Sequence, residues 1–333
     1  TMANKARLLR LTDGTLIAAW HESVDTGLGA WSLDGVEYAP RDIFMVASPD
    51  GGASWGDPVN VSNTASLTDP SAFYDRAGDG SGVANYPGDS GKSTVFAAGK
   101  NLVVIWNDTY CGEGVHGPAR YQGSLGMIEV PFHCLYAARA TVSSGNIELI
   151  AVDRLTDGTR DVKNEIARGT GAGFALAWQE DPAGLQLGEA RGEGDGASGA
   201  RVSRGTDIWY AWVSKSAFAD PGKSWNGPVA ISDNFDYDTA TVTGGGASRP
   251  VMAMSGSPAH ALLVYEETKN SDGVDVGKYV RFHQFPFNAP PEHEAGVIVS
   301  TPGENGRRAR VMAASSPGSA HGTRMVLMWR QGE

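Results

Sequence analysis

The 333-residue chain has little that favours helices or membranes. No apolar run approaches the roughly 20 residues that a bilayer-crossing helix needs. The 44 Gly and 17 Pro break up any long helix, and no stretch carries a sustained 3.6-residue apolar period. Basic charge is scarce. With 27 Lys and Arg against 38 Asp and Glu the net charge is −11, which argues against nucleic acid or an anionic membrane as partner. There are only two cysteines, too few for a metal finger and enough for one bridge. No signal peptide precedes the strand-like run that follows Thr1, so the chain is expected to be a mature or trimmed product with residues missing at its ends. Hydrophobic residues make up 41%, enough for a packed core rather than a disordered chain.

What is present is repetition. Ser48-Pro-Asp50-Gly-Gly52-Ala-Ser-Trp55 reads S-x-D-x-G-x-S-W, the pattern of an Asp-box. Ser48 and Asp50 offer oxygens to the N–H groups of a tight turn, Gly51 and Gly52 supply positive φ, and Trp55 is expected to fold beneath it as a plug. Phe218-Ala-Asp220-Pro-Gly222-Lys-Ser-Trp225 repeats the pattern without the first serine. Each copy lies between a strand-like run and a short Pro-Val segment, so the same strand–box–strand unit is used twice.

A second phrase, apolar residues then an aromatic then polar ones, recurs five times. It occurs at Leu16–Glu22 around Trp20, Leu102–Asp108 around Trp106, Phe174–Glu180 around Trp178, Ala261–Glu267 around Tyr265, and Met325–Gln331 around Trp329. Such near-continuous apolar strands suit sheets covered on both faces. Third strands are expected at Ile43–Ala47, Cys134–Ala138, Ile208–Val213 and Tyr279–Phe285. The reading is all-β: one β-propeller domain over 1–333, with four-stranded blades, four complete and a fifth begun at Arg308, and five or six in all. The irregular insertions Ser62–Lys92, Gly112–Pro131, Asp181–Arg204 and Asp233–Ser248 are expected to cover one mouth of the ring.

Four groups of residues carry candidate chemistry. Cys111 and Cys134 flank two neighbouring strands and are expected to form a disulfide, implying an oxidising compartment: extracellular, periplasmic or cell surface. Glu180, Asp181, Glu189, Glu193 and Asp195 lie among glycines, the oxygen-rich flexible backbone that Ca²⁺ prefers; a solvated acidic loop is the alternative. The stretch Asp233–Asp238 has the same ambiguity. His116 and His133, with Met127 between them, allow a copper site. Arg7, Lys92, Lys163, Arg249 and Arg310 open the first strands and could form a cationic rim gripping a carboxylate, or could simply face water.

The boxes resemble those of the sialidase superfamily, which implies a sialidase-like propeller. The Arg-Ile-Pro signature of those enzymes does not occur; Arg249-Pro250 shares two of its residues. Gln179–Leu185, Asp195–Ala200, Gly205–Tyr210, Tyr265–Lys269 and Gly277–His283 resemble uncharacterised exported proteobacterial proteins of the "choice-of-anchor" type. A fainter similarity is to secreted copper-binding surface proteins of methanotrophs. Together these imply an exported, non-catalytic surface or binding propeller with a structural calcium site and a surface or glycan ligand. The alternatives are a glycan-acting hydrolase using carboxylates beneath an arginine rim, and a secreted copper-binding protein.

Overall fold

The computed structural model describes residues 3–27, 30–31, 37–75, 83–112, 118–123, 126–181, 206–232, 234, 246–268, 278–301, 304–315 and 323–332. They fall into two compact units: Thr1–Asp161 with Ser216–Ser224, and Val162–Lys215 with Trp225–Glu333. Both are built of four-stranded antiparallel sheets of the kind that make propeller blades, and the fold is all-β.

In the first unit, blade 1 runs β1 (Ala3–Arg10), β2 (Leu16–Ser23), β5 (Arg41–Ser48) and β6 (Val59–Asn60), with the small pair β3 (Ala30–Trp31) and β4 (Glu37–Tyr38) inserted after β2. Two hairpin strands follow, β7 (Thr68–Asp75) and β8 (Val83–Pro87). Blade 2 comprises β9 (Ser90–Ala98), β10 (Asn101–Asp108), β13 (Cys134–Ser143) and β14 (Asn146–Arg154), with the hairpin of β11 (Pro118–Gly123) and β12 (Gly126–Pro131) inserted after β10. The second unit contains blade 3, with β15 (Asp161–Thr170), β16 (Gly173–Asp181), β17 (Asp207–Ser214) and β18 (Asn226–Ala230); of the helical turn α1 (Lys215–Phe218) that follows β17, Ser216–Phe218 belong to the first unit. Blade 4 follows as β19 (Ala247–Ser255), β20 (His260–Thr268), β21 (Lys278–Pro286) and β22 (Val297–Ile298). The last pair is β23 (Asn305–Ser315) and β24 (Thr323–Gly332). Two of the insertions expected to be irregular, Ser62–Lys92 and Gly112–Pro131, therefore hold hairpins. Their strands pair antiparallel, with Tyr74 opposite Ala84 and Tyr121 opposite Ile128.

The aromatic phrase is the second strand of every blade, and its register is constant. Trp20 faces Phe44, Trp106 faces Tyr136, Trp178 faces Trp209 and Tyr265 faces Arg281. Trp20 stacks on Phe44 at 5.9 Å between centroids, and Trp106 on Tyr136 at 5.5 Å. Trp106, Trp178 and Tyr265 are fully buried. Residues on the other face of β2 and β5, Ile17, Ala19, Ile43 and Met45, pack with Val95, Val104 and Trp106 into one core. In the second unit Ala175, Ala177, Ile208 and Tyr210 pack likewise with Leu263, Tyr265 and Phe285. Burying each large side chain contributes about 1.5–3 kcal/mol.

A polar clasp closes each complete blade at the end of its fourth strand. The N–H groups of Val61, Leu155, Ile231 and Val299 donate to the carbonyls of Ile43, Leu135, Ile208 and Val280. The next residue, Ser62, Thr156, Ser232 or Ser300, accepts the N–H of that same third-strand residue at 2.9–3.0 Å. Where an aspartate precedes that third-strand residue, the serine also donates to it: Ser62 to Asp42 at 2.9 Å and Ser232 to Asp207 at 2.8 Å. Blade 2 has Cys134 at that position, bonded to Cys111 with the Cα atoms 5.5 Å apart.

The Ser48–Trp55 turn closes as its residues suggest. Gly52 N–H donates to Ser48 Oγ at 2.7 Å, Ser54 N–H to Asp50 Oδ1 at 2.8 Å, and Ser54 Oγ–H to Asp50 Oδ2 at 2.5 Å. Gly51 and Gly52 have φ of 73° and 102°. These bonds hold the Asp50 carboxyl down at about 2, the Ser54 hydroxyl contributing most. Trp55, however, is 44% exposed and is no plug, whereas Trp225 is 6% exposed. The first turn is closed by its own polar bonds and by Gly56 N–H on Ala47 O, so it stands without the indole. In the second turn Gly222 N–H donates to Asp220 Oδ1 at 2.9 Å, and Phe218, in place of the first serine, is buried. Arg139 of β13, fully buried, donates to the carbonyls of Ala217, Phe218, Asp220 and Lys223 and to Asp153. Its guanidinium fills a nest of main-chain oxygens in this turn.

Candidate functional site

The first strand of a blade contains an irregularity that sequence patterning does not reveal. β1, β9, β19 and β23 each carry a bulge, seen as register breaks at Asn4/Arg7, Ile105/Asn107, Ser248/Val251 and Arg307/Arg310. At each bulge a basic residue adopts a left-handed backbone: Lys5 (51°), Lys92 (54°), Arg249 (56°) and Arg308 (54°). Non-glycine residues there cost of order 1 kcal/mol or more, and such outliers cluster at functional positions.

The bulges are held by the neighbouring second strand. Arg249 N–H donates to Gln179 Oε1 at 3.2 Å, and Arg308 N–H to Glu266 Oε1 at 2.6 Å. Gln179 and Glu266 each follow the marker aromatic. Glu266, buried, also pairs with Arg249 Nη1 at 3.4 Å and Lys278 Nζ at 3.7 Å, while Lys278 Nζ donates to Ser248 Oγ at 3.1 Å. A second clasp joins the start of a third strand to a carboxylate or amide three residues ahead of a bulge. Arg41 N–H and Nε–H both donate to Asp89 Oδ1 at 3.1 and 2.7 Å, with Nη2 on Oδ2 at 2.5 Å. Lys278 N–H donates to Asn305 Oδ1 at 2.9 Å. His133 follows the same scheme: its N–H donates to Asp161 Oδ1 at 2.8 Å and its Nδ1 lies 3.1 Å from the same oxygen.

The five expected rim residues divide accordingly. Lys92 and Arg249 are bulge residues. Arg7 and Arg310 are not: each lies two residues beyond its bulge, and Lys5 and Arg308 occupy the equivalent positions. Both Arg7 and Arg310 are exposed, and Arg310 Nη1 donates to the carbonyl of Ala309. Lys163 of β15 pairs with Asp181 at 3.3 Å. Spacing was the overlooked signal: Asp89 precedes Lys92 by three residues, as Asn305 precedes Arg308.

Of the five calcium candidates, Glu180 and Asp181 are described and both are buried. Glu180 Oε1 accepts the Trp178 indole N–H at 2.9 Å, and Asp181 faces Lys163. Glu189, Glu193 and Asp195 lie outside the described residues, as do Asp233, Asp236, Asp238 and, for copper, His116. Among the described residues no group of three or more His, Cys, Asp or Glu is arranged to hold a metal ion.

Glu267 of β20 has a different environment. Arg281 Nε–H donates to its Oε2 at 2.5 Å, yet burial pushes its carboxyl above the usual range against that opposing charge. Tyr265 beside it meets His283 Nε2 at 3.1 Å; burial, foremost, raises the phenol and lowers the imidazole to about 4.

No family model matches the chain, and no curated protein matches it. Among solved structures it is similar to the GH93 α-L-arabinofuranosidase of Fusarium graminearum in complex with arabinobiose, at 12% identity and a TM-score of 0.41, over 98% of this chain and 74% of that one. It is similar to the α-L-arabinanase of Penicillium chrysogenum complexed with arabinobiose, at 10% identity and a TM-score of 0.42, over the same shares. It is also similar to Trypanosoma rangeli sialidase, at 8% identity and a TM-score of 0.41, over 98% of this chain and 43% of that one.

Proposed function

We propose that this is an exported, non-catalytic binding module that recognises an acidic glycan through the basic residues of its first strands. The observation that carries the reading is the recurrence of Lys or Arg at a strained, left-handed bulge in Lys5, Lys92, Arg249 and Arg308. In the second unit Arg249, Arg308 and Lys163 present cations from successive first strands, and Asp181 and Glu266 are buried partners rather than free reactive carboxylates. Guanidinium groups suit a planar carboxylate. The disulfide fits an oxidising, extracytoplasmic location, and among the described residues no helix is long and apolar enough to cross a membrane.

The test is binding of acidic and neutral oligosaccharides by calorimetry. Acidic glycans should bind with a salt-sensitive affinity that falls at least tenfold in Arg308→Asn, a residue that tolerates the left-handed backbone. Equal binding of neutral glycans, or no loss in Arg308→Asn, overturns the reading.

Glu267 favours a second reading, a glycan-acting hydrolase, because a carboxyl raised by burial suits a proton donor. Release of reducing sugar that is abolished in Glu267→Gln would establish it. Calcium belongs to the first reading: a cation in the Glu180–Asp195 loop would draw oxygens from Glu189, Glu193 and Asp195 beside Glu180 and Asp181. Copper belongs with His116 and His133, the latter through its Nε2. Elemental analysis of the purified protein tests both.

A further inference from the structure

Two seams between consecutive sheets, one in each unit, use the same positions with different residues. In the second unit the seam between blade 4 and β23 is filled by the buried Glu266 carboxylate, surrounded by Arg249, Lys278 and the N–H of Arg308. In the first unit the seam between blades 1 and 2 places His21 where Glu266 stands, each following its marker aromatic. Arg41 opens β5 as Lys278 opens β21. The bulge residues Lys5 and Lys92 correspond to Arg249 and Arg308 by backbone conformation and register. Ser93 corresponds to Ala309.

The centre of the first-unit seam is incompletely satisfied. His21 is 1% exposed, and neither Nδ1 nor Nε2 has a hydrogen-bond partner among the described residues; Ser93 is 2% exposed and its Oγ has none either. Both face the same seam. His21 shares a face of β2 with Ile17 and Ala19, and Ser93 a face of β9 with Val95; Ile17, Ala19 and Val95 belong to the core between the two blades. Arg41 spans the gap, holding Asp89 and lying 3.9 Å from where a Cβ on Gly91 would sit. Buried polar atoms are ordinarily paired, with protein, water or a ligand. The charged groups that act on His21 are Arg41 and Lys5 against one acid, Asp89, so the surroundings favour an anion over a cation.

We propose that the seam between blades 1 and 2 binds a small carboxylate anion of formate or acetate size, with His21 and Ser93 as its donors, at the position where Glu266 supplies a carboxylate in the second unit. A neutral imidazole offers one N–H and Ser93 one O–H, both directed at an oxyanion. Lys5 and Lys92, exposed at the mouth, add attraction without occupying the centre. Burial, then Arg41 and Lys5, keep His21 neutral at pH 7.

The test uses the full chain at pH 7 and constant ionic strength, with formate replacing chloride. Thermal melts of the wild type should rise saturably with formate, and His21 ring signals in NMR should shift along the same curve. His21→Glu, which installs the second unit's own solution, should melt at or above the formate-saturated wild type and ignore formate. Ser93→Ala, which installs the residue found at Ala309, should keep the fold and weaken formate at least tenfold. A wild type indifferent to formate, meaning that the seam holds only water, overturns the proposal, and so does a formate response that survives in His21→Glu. If His21→Glu does not fold, an unchanged formate affinity in Ser93→Ala overturns it equally.

Discussion

The indole N–H of Trp178 donates to Oε1 of Glu180 at 2.9 Å, between residues two apart on one strand. The same bond joins Trp20 to Glu22 at 2.8 Å, Trp106 to Asp108 at 3.3 Å and Trp329 to Gln331 at 2.7 Å. Residues i and i+2 share a face of a strand, so each of these four strands satisfies its indole N–H from its own sequence.

Glu180→Ala orphans that indole N–H and should destabilise by about 1–3 kcal/mol, whereas Glu180→Gln keeps an acceptor and should cost less than half as much. Urea unfolding of both variants checks it. Equal losses would show that the charge, not the acceptor, matters.

Arg139→Met should be among the most damaging single changes, on the order of 3–5 kcal/mol. It leaves the Asp153 carboxylate and four carbonyls of the 217–223 turn without their donor. Hydrogen exchange should show residues 217–223 opening in this variant while β1 and β2 keep their protection.

Reducing the Cys111–Cys134 bond, which spans a sequence separation of 23, should cost about 3 kcal/mol, mainly by freeing the unfolded chain. Cys111→Ala/Cys134→Ala should melt no lower than the reduced wild type. A larger loss in the double variant would mean that the sulfur atoms pack as well as bridge.

Stability should fall in acid through two buried histidines. His21, by burial and then the facing Arg41 and Lys5, and His283, by burial and then Arg281, both titrate near 4 in the folded chain against 6.5 in the unfolded one. The unfolded state therefore takes up protons first, so stability present above pH 6.5 is lost as pH falls toward 4, on the order of 2–3 kcal/mol per histidine. Of the groups facing His21, only Asp89 opposes this. Melts from pH 7.5 to 4.5 should flatten in His21→Gln; an unchanged slope would show that His21 does not contribute.

The blades were legible because their signals are local. The aromatic phrase, the box and the nearby cysteines each lie within a few residues or one hairpin, where i, i+2 geometry and turn chemistry decide the outcome. The bulges at Lys5 and Arg308, two residues before Arg7 and Arg310, were not legible because a single extra residue in a strand leaves no local pattern. The pairing of His133 with Asp161 was not legible because the two lie 28 residues apart. Trp55 read as a plug because a motif specifies the turn and not what packs beneath it.

From its sequence alone the chain is committed to all-β blades: apolar strands with an aromatic, turns set by Gly and Asp, and too many glycines and prolines for helices. Only tertiary packing decided which basic residues sit on the bulges, which acids they neutralise, and that His21 and Ser93 lie buried without hydrogen-bond partners among the described residues. Bulges and clasps join residues far apart in the chain, and their positions depend on how neighbouring sheets face one another, which no local pattern encodes.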